Sequence, residues 1–216
     1  MALNIKRPNG TEDVIPKNIN KWHTVENIAK DVASMYGFKE IRIPTFENTE
    51  LFQRSVGETT DVVQKEMYTF TDRGDRQLSL KPEGTAGVIR SFIENKMYAD
   101  TQPTKLYYIT PCFRYERPQA GRQRQFHQFG IEVLGSDGPS VDAEVISLAV
   151  QFFNEMGLKN LSVNINSVGC PTCREEYNRK LKEYLDKKVD VLCETCLERK
   201  DKNPMRVIDC KNPHCK

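Results

Sequence analysis

The sequence predicts an α+β fold in which an antiparallel sheet is flanked by helices. Two segments, 16–36 and 140–157, repeat apolar residues every three or four positions, as amphipathic helices do. Two others, 106–109 and 126–134, are rich in the β-branched and aromatic residues that favour strands, and a polar loop joins them. Strands joined by a loop, with helices before and after them, indicate a sheet covered by helices.

In the first 80 residues, the sequence predicts helices and three short strands. The apolar stripe of the first long helix includes Ile28 and Val32, and Gly37 ends the helix. One or two helical turns are predicted at 49–56, followed by a polar loop at 57–61. The strands are predicted at 39–44, 67–70 and 76–80.

The segment 81–87, Lys-Pro-Glu-Gly-Thr-Ala-Gly, joins the last of these strands to a helix predicted to run to about Tyr98. Pro82 cannot pair in a strand ladder, and Gly84 allows a ligand to approach the backbone closely. Thr85 is a candidate N-cap of the helix. On these residues alone, a ligand-binding turn and a plain strand-to-helix turn are both possible.

The loop between the two long strands is rich in arginine. Guanidinium groups pair bidentately with phosphate oxygens, so several of them on one hairpin predict a polyphosphate site. A solvated hairpin with no catalytic role is the alternative. The arginines are Arg114, Arg117, Arg122 and Arg124, and the acidic and amide residues beside them are Glu116, Gln128 and Glu132.

The composition changes after the second long helix. Gly157 ends that helix, and 161–167 alternates apolar and polar residues as a half-buried strand does. Six of the seven cysteines then follow Gly169, among charge-rich helical stretches. We therefore predict two units, residues 1–168 and a Cys-rich unit at 169–216.

Charge and hydropathy exclude several classes of protein. Basic and acidic residues number 32 and 30, so the chain is not a generally basic nucleic-acid coat, and any nucleic-acid contact has to be local. No apolar run reaches the length of a membrane span, and the first twenty residues lack the apolar core of a signal peptide. We expect a cytoplasmic protein without membrane contact, whose cysteines are reduced or bind metal.

Two C-x-x-C pairs in the second unit have a spacing found in zinc sites. Four thiolates in tetrahedral geometry would close a structural site. Reduced free thiols and redox exchange are the alternatives, and Cys210, His214 and Cys215 are spare ligands, so which four groups bind stays open. The predicted ligands are Cys170, Cys173, Cys193 and Cys196.

The hairpin and the turn resemble a known family. Phe113-Arg114-Tyr115-Glu116, together with Arg124-Gln125-Phe126-His127-Gln128, resembles the motif 2 hairpin of class II aminoacyl-tRNA synthetases. The run RQFHQFGIEVLG resembles the histidyl-tRNA synthetase family, and Pro82-Glu83-Gly84-Thr85 is similar to the turn with which that family holds the α-amino group of its amino acid. The helix at 16–36 and the strand before Pro44 resemble motif 1, which implies a homodimer through this region.

The resemblance implies a histidine–tRNA ligase that uses ATP with Mg²⁺, histidine and tRNA(His) as substrates. Arg114 is implied as the catalytic group that spans the histidine carboxylate and the α-phosphate. Glu116 and Phe126 would contact adenine. Candidates for contacts with the phosphates or the tRNA end are Arg117, Arg122 and Arg124, with solvated loop charges as the alternative for each. The histidine-binding residues would be Glu83, Thr85, Gln128 and Glu132.

Glu132 and His127 lie on the same predicted strand. Glu132 would accept a hydrogen bond from the imidazole, although simple alternation with Ile131 and Val133 could also turn it outward. His127 lies beside arginines, but the chemistry implied by the resemblance needs no histidine at this place, and we interpret it as structural.

The resemblance covers residues 1 to about 168, which we interpret as the catalytic core, with the Cys-rich unit as an incomplete insertion. Motif 3, a histidine-specific loop and an anticodon-binding domain are absent from the sequence. We therefore expect a fragment of a longer synthetase with weak or no activity of its own. The alternatives are a histidine-sensing regulatory paralogue of ATP phosphoribosyltransferase without ligase activity, and a zinc-ribbon binding module.

Overall fold

The structure is a computed structural model that describes residues 5–56, 60, 62–167 and 169–215. Its internal contacts divide the chain into two compact units, Met1–Leu161 and Ser162–Lys216. The polar loop predicted at 57–61 lies outside the described residues except for Thr60. None of the helices in the described ranges combines the length and the apolar character that a membrane span requires.

In its described part, the first unit contains four α-helices, a π-helix at Val62–Glu66, a 3₁₀ turn at Met97–Ala99 and six strands. Its α-helices are α1 (Pro16–Met35), α2 (Thr49–Val56), α3 (Thr85–Glu94) and α4 (Pro139–Glu155). Its strands are β1 (Lys39–Glu40), β2 (Phe46–Asn48), β3 (Thr69–Thr71), β4 (Gln77–Leu80), β5 (Thr104–Phe113) and β6 (Gln125–Leu134).

The strands form two three-stranded sheets. In the larger sheet, of order β1-β5-β6, β1 runs parallel to β5, and β5 pairs with β6 in antiparallel register from Thr104 opposite Leu134 to Phe113 opposite Gln125. In the smaller sheet, of order β2-β4-β3, both pairs are antiparallel. The predicted α+β class is confirmed, with β1 as a parallel addition to it.

Helices cover both faces of the larger sheet, and β5 carries apolar residues on both faces. On one face, Tyr107 of β5 joins a core with Val32 and Ala33 of α1 and Leu148 of α4. The β6 residues packed against this core are Phe129, Ile131 and Val133. On the other face, Leu106 and Tyr108 pack against Val88 of α3. This second face carries the site described below.

Several predicted boundaries differ from the structure. The strand predicted at 39–44 shrinks to the two residues of β1, and the last bond to β5 after it runs from the N–H of Ile41 to the carbonyl of Tyr107. The helix predicted to reach Tyr98 ends at Glu94, and a separate 3₁₀ turn, Met97–Ala99, follows it.

The second unit is helical in its described part. It contains α5 (Pro171–Asp186), α6 (Glu194–Lys202) and α7 (Met205–Ile208), with 3₁₀ turns at Val189–Val191 and Pro213–Cys215. Its buried core is small and consists of Leu185, Cys196 and Val207. The strand predicted at 161–167 is wrong: no ladder forms over these residues, and the side chains of Val163 and Ile165 are exposed.

Candidate functional site

The turn that leads from β4 into α3 is held from both sides by backbone hydrogen bonds. The N–H of Lys81 donates to the carbonyl of Thr45 at 3.0 Å, and the carbonyl of Lys81 accepts from the N–H of Phe113 at 2.9 Å. The turn therefore continues the end of β4 and lies beside the end of β5. Pro82 is fully buried in it.

Glu83 caps α3. One oxygen of its carboxylate accepts from the N–H of Thr85 at 2.7 Å, and the other accepts from the N–H of Ala86 at 3.0 Å. A negative charge at the first turn of a helix also interacts favourably with the helix dipole. The prediction that Thr85 caps the helix is thus wrong, because Glu83 takes that role, and the Thr85 hydroxyl has another partner.

That partner is Glu132 on β6. The hydroxyl of Thr85 donates to the Glu132 carboxylate at 2.7 Å, and the hydroxyl of Tyr108 donates to the same oxygen at 3.3 Å. Glu132 thus points away from the apolar face formed by Ile131 and Val133, toward the start of α3. Burial raises the pKa of the Glu132 carboxyl above its ordinary value, although both hydrogen bonds act in the opposite direction.

Gln128 ties β6 to the same turn. Its side-chain oxygen accepts from the N–H of Gly84 at 3.1 Å and from the thiol of Cys112 at 3.3 Å. Gln128 and Glu132 lie four residues apart on one strand, so both side chains project from the same face. The structure therefore brings together the four residues predicted to bind histidine: Glu83, Thr85, Gln128 and Glu132.

The ring of Tyr108 is clamped between two glycines. A Cβ atom added to Gly84 would lie 2.3 Å from a ring carbon of Tyr108, and one added to Gly130 would lie 2.2 Å from another. Only glycine fits at either position without a shift of the ring. Sequence reasoning missed Tyr108 as part of this cluster, and the signal that could have revealed it was a glycine inside an apolar strand.

Arg114 is fixed to the turn. Its Nε donates to the carbonyl of Pro82 at 2.9 Å, and its guanidinium lies 5.2 Å from the ring centroid of Phe126. The rest of the guanidinium can still donate hydrogen bonds to a ligand, because a guanidinium carries five N–H groups. Arg114 and Phe126 extend the polar cluster along the same face of the hairpin.

The remaining loop residues make contacts with one another. Glu116 forms an ion pair with Arg122 at 3.2 Å, and its carbonyl accepts from the Nε of Arg124 at 3.3 Å. The guanidinium of Arg124 lies 4.0 Å from the ring centroid of Tyr115. Arg117 is exposed. Arg124 is therefore packed into the hairpin, whereas Arg117 projects from it.

His127 lies on the opposite face of β6. Its ring meets the ring of Trp22 of α1 edge to face, with the ring centroids 4.7 Å apart. It therefore projects away from the polar cluster around α3.

A cavity of about 600 Å³ adjoins Glu83 and Thr85 and extends between α2 and α3.

In the second unit, the cysteines assemble differently from the prediction. The Sγ atoms of four cysteines lie within 4.8 Å of one another: Cys193, Cys196, Cys210 and Cys215. Cys170 and Cys173 are exposed at the start of α5, with their Sγ atoms 3.1 Å apart, and belong to no metal-binding group among the described residues. The predicted combination of the two C-x-x-C pairs is therefore corrected, because α7 and the final turn bring two later cysteines to the second pair instead.

The sheet, the arginine-bearing hairpin and the turn at α3 have the arrangement of a class II aminoacyl-tRNA synthetase. The sequence model of the family described as histidyl-tRNA synthetase matches residues 10–191, and the chain belongs to that family. The crystal structure of apo Staphylococcus aureus histidyl-tRNA synthetase superposes with a TM-score of 0.76 at 44% identity, over 94% of this chain and 47% of that one.

Curated relatives agree with this assignment. The histidine–tRNA ligase of Clostridioides difficile is 71% identical over 211 residues, which cover 98% of this chain and 50% of the relative. That of Alkaliphilus oremlandii is 61% identical over 208 residues, which cover 96% and 49%. The chain thus spans about half the length of the curated relatives it matches. A Bacillus halodurans structure, described as an ATP phosphoribosyltransferase regulatory subunit/histidyl-tRNA synthetase, has a TM-score of 0.63 at 22% identity and shares the fold.

Proposed function

We propose that this chain contributes to a histidine–tRNA ligase, which activates histidine with ATP and transfers it to tRNA(His). Membership of the histidyl-tRNA synthetase family supports the proposal. The observation that carries it is the convergence of acceptor groups from two motifs, joined by the hydrogen bond from Thr85 to Glu132. Residues 1–168 would form the catalytic core, and 169–216 a Cys-rich insertion.

The polar cluster suits a substrate with a positive ammonium and a polar ring. Glu83, Thr85 and Gln128 offer oxygen atoms at the start of α3, where they would accept from the ammonium. Glu132, whose carboxylate is partly desolvated, would accept from an imidazole N–H. Such a site discriminates against amino acids that leave its buried polar atoms unpaired.

The activation step would rest on Arg114. A carboxylate oxygen of histidine attacks the α-phosphorus of ATP, the bond from that phosphorus to the bridging oxygen breaks, and pyrophosphate leaves. Because both reactants are anions, a guanidinium that spans carboxylate and α-phosphate would both position them and offset their charge. Mg²⁺, bound with ATP, would neutralise further phosphate charge.

Adenine and phosphate contacts would come from the hairpin. Phe126 would stack on the adenine ring, and Glu116 would accept from its amino group. In the structure, Glu116 is paired with Arg122, and the guanidinium of Arg114 lies near Phe126. Binding of ATP would therefore exchange these contacts for contacts with the nucleotide. Arg117 and Arg124 would serve the phosphates or the tRNA end.

In the transfer step, a terminal ribose hydroxyl of tRNA(His) attacks the carbonyl carbon of histidyl-adenylate. The ester bond forms, AMP leaves, and the hydroxyl proton is released. We further propose that the protein acts in the cytoplasm as a homodimer formed through the region of α1 and β1, which resembles motif 1.

The test is ATP–pyrophosphate exchange with each of the twenty amino acids, measured on the full-length product of the reading frame that encodes this chain. We expect exchange with histidine alone. Glu132→Gln should lower kcat/KM for histidine by roughly 10- to 100-fold, the effect of losing a hydrogen bond to a charged group. The matched control, Glu155→Gln on the exposed side of α4, should leave it unchanged.

Two outcomes would change the assignment. Exchange with a different amino acid would overturn the specificity. Binding of histidine without any exchange would favour the regulatory paralogue of ATP phosphoribosyltransferase.

A further inference from the structure

The sulfur atoms of the second unit have the spacing of a metal site. The Sγ atoms of Cys193 and Cys210 are 3.9 Å apart, and all four Sγ atoms of the cluster lie within 4.8 Å of one another. Four thiolates at about 2.3 Å from a tetrahedral zinc ion stand roughly 3.8 Å apart. A disulfide needs its two sulfurs at about 2.05 Å. The observed spacing therefore fits four ligands around an ion.

Local structure directs these four side chains to one point. Cys193 is the N-cap of α6, and Cys196 lies in the first turn of the same helix. Cys210 follows the end of α7, and Cys215 closes the last 3₁₀ turn. The cluster thus joins three segments: the start of α6, the chain just after α7 and the last 3₁₀ turn.

Backbone donors already point at two of the sulfurs. The N–H of Cys193 donates to the Sγ of Cys215 at 3.0 Å, and the N–H of Asn212 lies 3.4 Å from the Sγ of Cys210. Backbone N–H groups that donate to the sulfur ligands of a metal site act as an outer shell that orients those ligands.

The second unit also needs a source of stability beyond its core. Its buried core contains Leu185, Cys196 and Val207, and the other three cysteines of the cluster pack against this core. Units of this size rarely bury enough apolar surface to be stable without a disulfide or a metal. A metal ion at the cluster would fasten α6, α7 and the final turn to one another.

We propose that Cys193, Cys196, Cys210 and Cys215 bind one structural zinc ion. Four sulfur ligands in a closed tetrahedral set select zinc among the common divalent ions and leave no open position for a substrate. Cys170 and Cys173 take no part in this site. The ion organises the second unit and is independent of the ligase chemistry of the first.

The first test measures metal content of the purified 216-residue chain by mass spectrometry of the elements. We expect one zinc per chain in the wild type and in the matched control Cys170→Ser/Cys173→Ser. Cys193→Ser and Cys210→Ser should each lose the metal. Three outcomes would each overturn the proposal. The wild-type chain could stay free of zinc after zinc supplementation, it could hold iron in place of zinc, or the control variant could lose its zinc.

A second variant separates loss of a ligand from loss of folding. Cys210→His keeps a zinc-compatible ligand, so the variant should still bind cobalt as a spectroscopic substitute for zinc. Its thiolate-to-cobalt absorption should fall by about a quarter, because three thiolates replace four. A cobalt spectrum identical to that of the wild type would exclude Cys210 as a ligand and overturn the proposed set.

A third measurement localises the effect of the metal. A zinc chelator should speed hydrogen exchange of the backbone at 185–210 in the second unit. The fluorescence of Trp22, the single tryptophan of the chain, reports on the first unit and should not change. Unchanged exchange at 185–210 after zinc removal would contradict a structural role.

Discussion

The hydroxyl of Thr85 donates a hydrogen bond of 2.7 Å to the carboxylate of Glu132, 47 positions later in the chain. This bond joins the first turn of α3 to β6, the strand at one edge of the larger sheet. Glu83 satisfies the first N–H groups of the same helix, so both side chains contribute to one turn. Substrate-binding candidates from two distant motifs thereby share one polar cluster.

Loss of Arg114 should slow activation. Arg114→Ala in the full-length protein should lower the rate of histidine-dependent ATP–pyrophosphate exchange by roughly 100- to 1,000-fold, on the order of 3 to 4 kcal/mol of transition-state stabilisation. Arg73→Ala, an exposed arginine in the turn between β3 and β4, is the matched control and should behave as wild type. Equal rates for both variants would remove Arg114 from the catalytic machinery.

Gly130→Ala should destabilise the first unit. The added Cβ would lie 2.2 Å from the Tyr108 ring, and overpacking of this kind costs about 1 to 3 kcal/mol. Urea unfolding followed by Trp22 fluorescence measures the loss. Gly74→Ala, where the nearest atom lies 3.4 Å from the new Cβ, serves as control and should be nearly neutral.

The clash between the added Cβ and the Tyr108 ring predicts that the changes in unfolding free energy from substitutions at the two positions are coupled. In a Tyr108→Leu background, Gly130→Ala should cost less than in the wild type, because the ring that it meets is gone. Additive free energies in this double-mutant cycle would argue against the clamp.

Glu132 should make stability depend on pH. Because burial raises its pKa in the folded chain above the ordinary value of 4.5, the folded state keeps a proton that the unfolded state releases. This stabilisation is complete below pH 4.5 and is lost as the pH rises through the pKa that Glu132 has in the folded chain. The unfolding free energy of Glu132→Gln, minus that of the wild type, should therefore increase with pH across this window. A constant difference would show that the carboxyl titrates normally.

Lys81 should make the free energy of unfolding depend on pH in the alkaline range. Its side chain is 1% exposed, its Nζ donates to the carbonyl of Pro44 at 3.0 Å, and burial lowers its pKa below 10.5. Between the lowered pKa and 10.5, only the unfolded state binds the proton, so the wild type should gain stability as pH rises.

The comparison that tests this is Lys81→Met against Lys159→Met, an exposed control. The wild type should gain stability relative to Lys81→Met through the alkaline window, and should show no such gain relative to Lys159→Met. Parallel curves for all three chains would refute a perturbed Lys81.

Local patterns were sufficient for the longer elements. The periodicity at 16–36 and 140–157 predicted α1 and α4 to within two residues, because an amphipathic stripe depends only on neighbours in sequence. The segment 161–167 shows the opposite case. It alternates like a strand, but alternation gives no ladder without a neighbouring strand in register.

The polar cluster could be predicted in composition but not in contacts. The hydrogen bonds from Gly84 to Gln128 and from Thr85 to Glu132 span 44 and 47 positions, and spacing alone cannot specify such pairs. The same reason explains the cysteines: the C-x-x-C spacing identified Cys193 and Cys196, whereas the partners of this pair depend on the path of the chain through α7. The roles assigned to the site residues stay predictions.

The alternation along β6 constrains how this gene can change in length. From Phe126 to Val133, even-numbered residues face α3 and odd-numbered residues face α1 and α4. Deletion or insertion of a single codon inside β6 would exchange the two sets over the rest of the strand, placing a carboxylate in the apolar core and isoleucine at the polar cluster. Within this hairpin, length variants that keep the function should therefore be confined to residues 118–123, where an added or lost residue changes neither face and removes none of the proposed ligand-binding groups.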